Sequence, residues 1–171
     1  ITMFFFFFSA TANYEKKIYD FSIVSITGGT IDFKEYNDKV ILVVNTASYC
    51  GFTKQYDELQ ELWDLYKDKG LIVVGVPSNS FNQEKKNNSD IKEFCEVNFN
   101  INFPLTTITE VKGKNAHELF KWAKKNHGKS AEPKWNFHKI LINNEGKIED
   151  TFLSMTKPMS EKLIKTIENI L

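Results

Sequence analysis

The stretch Val40-Ile41-Leu42-Val43-Val44-Asn45-Thr46-Ala47-Ser48-Tyr49-Cys50-Gly51-Phe52-Thr53 decides the fold of this chain. It opens on an unbroken apolar run without alternation, which suits a strand buried on both faces. It then ends abruptly in a single cysteine followed by glycine. Beyond it, Tyr56, Leu59, Leu62, Trp63 and Tyr66 recur at three- and four-residue spacing, the pattern of a helix with one apolar stripe. Leu71-Ile72-Val73-Val74-Gly75-Val76, stopped by Pro77, repeats the buried-strand pattern. Strand, helix and buried strand make a βαβ unit, whose crossover is expected to be right-handed.

Upstream, Ile18 to Ile23 and Gly28 to Phe33 read as two short strands turning at Gly28-Gly29. Downstream, a helix is expected from Ser89 or Asp90 through Val97, with Ile91, Phe94 and Cys95 as its stripe. Another covers Ala116 to Lys125 and buries Leu119, Phe120, Trp122 and Ala123. Phe137 to Ile142 and Lys147 to Phe152 form a hairpin around Asn143-Asn144-Glu145-Gly146. Pro158 and Ser160 then open a last helix with Leu163, Ile164, Ile167 and Ile170 inward. These elements predict an α/β protein, one mixed central sheet with helices on both faces. No repeat or linker divides residues 18–171.

A chain of 171 residues with 42% hydrophobic and 14% aromatic content can bury one sizeable core. Its net charge is zero, which gives no attraction to nucleic acid or an anionic membrane surface. All 22 basic residues are lysine, so bidentate guanidinium recognition of carboxylates is closed to it. Two cysteines and three scattered histidines lack zinc-ligand spacing, and no metal or other cofactor is expected. The run Met3-Phe4-Phe5-Phe6-Phe7-Phe8 before Ser9-Ala10-Thr11-Ala12 reads as the remnant of a targeting leader over residues 1–17. It is far too short to span a bilayer. The chain is expected inside the cell, in the cytoplasm or in an organelle that such a leader reaches.

Cys50 lies between the end of a buried strand and the start of a helix, where unsatisfied N–H groups favour a thiolate. Taken alone, a free cysteine is as readily an inert packing residue. Two further segments follow it, Asn79-Ser80-Phe81-Asn82-Gln83-Glu84 and Trp135-Asn136-Phe137. In this order, each with its flanking strand or helix, the three segments resemble those of the thiol peroxidases of the glutathione peroxidase family. The likeness runs from about Tyr19 to Leu171. It implies a thioredoxin-like fold and two-electron reduction of hydrogen peroxide or an organic or lipid hydroperoxide, an antioxidant activity that serves the response to oxidative stress.

By the same resemblance Cys50 is the attacking sulfur, and Gln83, Trp135 and Asn136 are the neutral donors around it. Asn45 supports them from behind, and Tyr49 neighbours the pocket. The middle segment departs from the family pattern. Ser80 stands where glutamine is typical, Asn82 where glycine is typical, Lys85-Lys86 replaces Pro-Gly, and the segment is one residue shorter. No base lies near these motifs, which suits attack on a weak O–O bond with water relaying the proton.

Cys95, in Glu93-Phe94-Cys95-Glu96, is on local grounds a packing residue of a helix stripe. Its placement resembles that of the resolving cysteine in the family's thioredoxin-dependent branch, which implies an intramolecular disulfide and a thioredoxin-type reductant as partner. The missing arginines argue the same way, since none is present to grip the glutathione carboxylates. A short segment from Val111 to Trp135 implies a monomer with an accessible site. The lysine-rich stretch from Lys121 to Lys134 is a solvated face that suits an acidic thioredoxin, and His117, His127 and His138 carry no expected role.

Other thioredoxin-fold readings fit less well. A peroxiredoxin needs Pro-x-x-x-Thr-x-x-Cys and an arginine; Thr46 is misplaced, no matching proline precedes it, and arginine is absent. A copper chaperone needs a second cysteine where Lys54 stands. A redox relay that passes its disulfide to another protein is compatible with every residue, and a glutathione-dependent peroxidase with Cys95 merely in the core is the other alternative.

Overall fold

The computed structural model describes residues 14–171; the phenylalanine run and the pattern after it lie outside them. Among the described residues six strands and four α-helices follow in chain order: β1 (Ser22–Val24), β2 (Thr30–Asp32), β3 (Val40–Thr46), α1 (Gln55–Tyr66), β4 (Leu71–Pro77), α2 (Asn88–Phe99), α3 (Glu118–His127), β5 (Lys139–Ile142), β6 (Ile148–Phe152) and α4 (Glu161–Glu168). β1 and β2 form a small antiparallel hairpin. The central sheet has the order β4-β3-β5-β6, with β3 parallel to β4 and antiparallel to β5, and β5 antiparallel to β6.

β3 is the axis of the molecule, and every one of its residues is buried. Because side chains alternate along a strand, it feeds two cores. Val40, Leu42 and Val44 meet Tyr56, Leu59 and Leu62 of α1, Ile91 and Cys95 of α2, and Leu163 and Ile167 of α4. Ile41 and Val43 meet Leu119, Phe120, Trp122 and Ala123 of α3, together with Ile23 and Ile31 of the hairpin. Helices therefore cover both faces, as the unbroken apolar runs require.

Several element boundaries shift from the sequence expectation, each for a local reason. Ile18–Asp20 is a 3-10 turn, closed where Lys17 N donates to the Asp20 carboxylate at 2.8 Å. Asn87, not Ser89 or Asp90, caps α2, its side chain accepting from Asp90 N at 2.9 Å. His117 Nδ1 accepts from Leu119 N at 3.2 Å, so α3 starts after it rather than at Ala116. β5 starts at Lys139 because Phe137 has a φ of 63° and cannot continue a strand. Residues 14–17, read as the end of a leader, lie along α3, with Trp122 Nε1 donating to Lys16 O at 2.8 Å.

Gly75 marks where the chain returns to the edge of β4. Its N donates to Pro104 O at 2.9 Å, and its O accepts from Thr106 N at 2.9 Å. A Cβ at Gly75 would stand 2.5 Å from Leu105 Cδ2 and 3.1 Å from Phe103 Cε2. Both side chains are buried and have little room to give. Gly75→Ala is expected to destabilise the protein by about 1–3 kcal/mol through overpacking. Denaturant unfolding measures this, and an unchanged midpoint would contradict the close approach.

Candidate active site

The turn that carries Cys50 is built by Thr53. Its Oγ1 accepts from Cys50 N at 3.0 Å and donates to Ala47 O at 2.9 Å, closing the chain on itself after β3. Thr53 N returns to Cys50 O at 3.0 Å, and Gln55 N to Phe52 O at 2.8 Å, so successive tight turns lead into α1. The sulfur is half-buried and accepts from Phe52 N at 3.4 Å. The cysteine thus precedes the helix by one turn, with the Phe52 N–H directed at its sulfur.

The loop after β4 is tied to that turn at three points. Gln83 O accepts from Tyr49 N at 3.0 Å. Glu84, buried, accepts from Ser48 N at 3.1 Å and from Lys85 N at 2.7 Å through Oε1. Lys85 Nζ donates to the Tyr49 hydroxyl at 2.9 Å. Burial raises the Glu84 carboxyl, while the hydrogen bonds from Ser48 and Lys85 pull it back. Asn82, in place of glycine, has a φ of 59°, a left-handed conformation that asparagine tolerates, so the turn survives the replacement.

Trp135 and Asn136 arrive from the far side of β3. Asn45 Nδ2 donates to Trp135 O at 3.0 Å, and Phe137 N donates to Asn45 O at 2.6 Å. Asn136 is fully buried, and its Nδ2 donates to Gln83 Oε1 at 2.9 Å. That bond occupies the Gln83 oxygen and leaves its Nε2 as the outward donor. The Trp135 ring is 39% exposed and leans on Phe81 at 5.3 Å between centroids. Gln83 and Asn136 are therefore joined directly, Trp135 is held to Asn45, and Cys50 is linked to them through Tyr49 and Gln83.

Cys95 is fully buried on α2, in the same apolar cluster against which Cys50 packs. Burial pushes its thiol up to about 11, with nearby Glu84 and Glu96 adding to the rise and Tyr56 opposing it. It is a protonated thiol in this state, and the two cysteines are unlinked. His138 is buried and held down to about 4 by that burial, hence neutral. Among the described residues no group of three His, Cys, Asp or Glu could hold a metal ion.

One residue that sequence reasoning passed over is Lys139. Its side chain is fully buried, donating from Nζ to Gln55 Oε1 at 2.8 Å and to Phe137 O at 2.7 Å. Glu84 was likewise missed as an anchor. A signal for Lys139 did exist: it sits between Phe137 and Leu141 on one face of an otherwise apolar run, where an inward charge is out of place.

Fold and site together define a protein of the thioredoxin-fold class that presents one partly exposed free cysteine. The chain belongs to the glutathione peroxidase family and is a peroxidase: the family's sequence profile, described as glutathione peroxidase, matches residues 18–124. A glutathione peroxidase of Lactococcus lactis is 42% identical over 154 residues, covering 87% of this chain and 98% of its own. A hydroperoxy fatty acid reductase of Synechocystis is 39% identical over 170 residues, 94% of this chain and 99% of its own. Glutathione peroxidase-like peroxiredoxin 2 of Saccharomyces cerevisiae is 39% identical over 146 residues, 83% and 90% respectively. Among solved structures, the apo form of Trgpx superposes with a TM-score of 0.69 at 33% identity, over 90% of this chain and 97% of that one. A thioredoxin-family thiol:disulfide interchange protein of Chlorobium tepidum superposes with a TM-score of 0.67 at 13% identity, over 88% and 92%, which shows the shared fold.

Lys139 also gives the site a measurable pH signature. Burial pulls its ammonium from the ordinary value of 10.5 down to about 7, against a smaller upward pull from Glu58. Between those values the unfolded chain binds more protons than the folded one, so folding stability rises with pH across that window. Stability measured against pH should climb on the alkaline side of neutrality, and Lys139→Met should remove that part of the climb. Parallel profiles for the two proteins would show that the lysine keeps its ordinary protonation when folded.

Proposed function

We propose that this peroxidase runs a two-cysteine cycle with a thioredoxin-type reductant. The Cys50 thiolate attacks the terminal oxygen of a hydroperoxide. The O–O bond breaks, the sulfur becomes a sulfenic acid, and the leaving alkoxide or hydroxide takes a proton from water as alcohol or water. Gln83 Nε2, the Trp135 indole and the Asn136 amide steady the thiolate and the departing oxygen. Cys95 then displaces hydroxide from the sulfenic sulfur. A Cys50–Cys95 disulfide forms, and the Cys95 proton leaves with the hydroxide as water. A dithiol partner reduces the disulfide by exchange.

The placement of Cys95 carries this reading. It is the second cysteine of the chain, it lies in the apolar cluster against which Cys50 packs, and its raised pKa keeps it from competing for peroxide. Lys85 adds a physical link, since its Nζ holds Tyr49 at 2.9 Å and stands 5.1 Å from the Phe94 ring. It thereby joins the residue before Cys50 to the residue before Cys95. The relatives named glutathione peroxidase-like peroxiredoxins support the same branch. Organic hydroperoxides are accepted beside hydrogen peroxide: Tyr49, Trp135, Leu153 and Met155 are exposed apolar residues on this side of the molecule. Gln55 Nε2 brings the Leu153–Met155 turn to the start of α1, donating to Ser154 O at 2.6 Å. The Synechocystis relative named for fatty acid hydroperoxides agrees with that rim. The enzyme works as a monomer.

Peroxide turnover measured with reduced thioredoxin and thioredoxin reductase, beside millimolar glutathione, tests the cycle. Cys50→Ser is expected to abolish turnover, and Cys95→Ser to allow one oxidation of Cys50 but no thioredoxin-driven cycling. Mass spectrometry of the oxidised protein should show the two cysteines linked. Faster turnover with glutathione, together with a free Cys95 after oxidation, would place the chain among one-cysteine enzymes. A linked disulfide that thioredoxin reduces slowly but a partner protein reduces fast would favour the redox relay.

Removing a donor to an oxyanion-type centre costs about 2.7–4 kcal/mol in the transition state. Water reaches this open site and replaces part of it, so Gln83→Ala, Trp135→Ala and Asn136→Ala are each expected to slow the first oxidation of Cys50 by less than that. Stopped-flow rates unchanged in all three would remove the donors from the mechanism.

A further inference from the structure

Phe137 is the most constrained residue of the site. A bulky aromatic residue with a φ of 63° carries strain of about 1–3 kcal/mol, and it persists only where the surroundings over-determine it. Three contacts do so here. Phe137 N donates to Asn45 O at 2.6 Å. Its ring is fully buried and stands edge-on to Tyr56, 5.4 Å between centroids. Its carbonyl accepts from Lys139 Nζ at 2.7 Å. The same ammonium donates to Gln55 Oε1 at 2.8 Å, and Gln55 N closes the turn of the cysteine through Phe52 O at 2.8 Å. A single buried cation thus bridges the segment that carries the donors and the segment that carries the nucleophile.

We propose that Lys139 is a positioning residue for peroxide reduction: it pins the left-handed Phe137 to the first turn of α1 and so fixes Trp135 and Asn136 relative to Cys50. This rests on the reading of those two residues as donors. The arrangement has an energetic logic. A buried ammonium whose two bonds both go to neutral oxygens is costly to desolvate. Its worth must lie in what it holds, and it holds the one backbone residue that breaks the strand immediately after the donor pair. Few titratable groups surround it. Glu58 of α1 is the acid whose charge reaches it, and that carboxylate also accepts from Met159 N at 3.0 Å. His138 beside it in sequence is neutral, and its strand partners Val44 and Phe152 do not titrate. Since burial brings the ammonium down to about 7, its hold on the carbonyl weakens on the alkaline side of neutrality, where it becomes a neutral amine.

The test compares two reactions of Cys50. Oxidation by hydrogen peroxide and alkylation by iodoacetamide both need the thiolate, whereas only the first uses the donors. Their ratio, followed on the Cys50 peptide by mass spectrometry, reads donor placement alone. Misplacement by about 1 Å costs roughly 100-fold, so Lys139→Met should lower the ratio about 10- to 100-fold and leave alkylation within about twofold. Asn136→Ala is measured beside it. A ratio lowered by Asn136→Ala but not by Lys139→Met overturns the role of Lys139 alone. A ratio unmoved by either removes the donor reading and this inference with it. Equal loss of both reactions in Lys139→Met makes the lysine structural and overturns the proposal. Should that variant fail to fold, the wild-type ratio across neutrality decides: a fall as pH rises supports the pin, and a flat profile overturns it.

Discussion

Asn45 is the joint on which the site depends. Its backbone belongs to β3, where it pairs with Val76 of β4. On the other side its N donates to His138 O at 3.4 Å, its O accepts from Phe137 N at 2.6 Å, and its side chain holds Trp135 O at 3.0 Å. One buried residue therefore registers the Trp135-Asn136 segment against the strand that leads to Cys50. Its polar groups are out of reach of competing water, so these bonds fix geometry more firmly than exposed ones, and breaking one leaves a buried group unpaired at about 1–3 kcal/mol.

Charge is placed behind the site rather than in it. Glu84 is anchored by the backbone N–H groups of Ser48 and Lys85, and Lys139 holds Gln55 and Phe137 from within the core. The groups proposed to meet the peroxide are amide and indole. Such donors stabilise developing charge without binding the product anion as tightly as a fixed cation would. In a chain without arginine this is also the chemistry on hand. The cost of holding Lys139 as a cation builds as pH falls from 10.5 to about 7 and is constant below, while the positioning proposed for it needs that same cation. Stability and positioning consequently pull in opposite directions at one residue.

The sequence disclosed the parts of the fold that follow from burial. β3 and β4 were legible because strands covered on both faces leave no polar alternation, and α1 because Tyr56, Leu59, Leu62 and Tyr66 all point inward. The pairing of Gln83 with Asn136 was not, since nothing in either segment's pattern says that their side chains meet; only the likeness to a known family brought them together. Phe137 reads as a strand residue by propensity, and its left-handed backbone is imposed by Asn45 and Lys139, contacts distant in sequence or hidden in a buried cation. Ser89 and Asp90 are good caps by residue type. Asn87 wins because its side chain reaches Asp90 N from the extended backbone before the helix. Asn82 shows the reverse case, a departure from the family pattern that the backbone absorbs.

The contrast between the two cysteines is a contrast in how their segments are anchored. Cys50 rides on the exit of the most buried strand and is closed in by Thr53 and Ala47. Cys95 is sealed, yet α2 buries only Ile91 and Cys95 along twelve residues, against six buried side chains over the same length of α1. Its N-terminal hold consists of the Asn87 cap, the bond from Ile108 N to Asn88 Oδ1 at 2.8 Å and the surface bridge from Lys85 to Tyr49. Opening the helix would expose Ile91 and the buried parts of Phe94 and Phe99, each large apolar side chain costing up to about 1.5–3 kcal/mol, within the span of sub-global openings that leave the rest of a protein folded. Opening α2 would also expose the thiol, and the burial that holds its pKa up would lapse with it. The sulfur would become nucleophilic only when free to move. A cysteine fixed in the turn after the central strand and a masked partner on a lightly anchored long helix is the division that the proposed intramolecular disulfide requires.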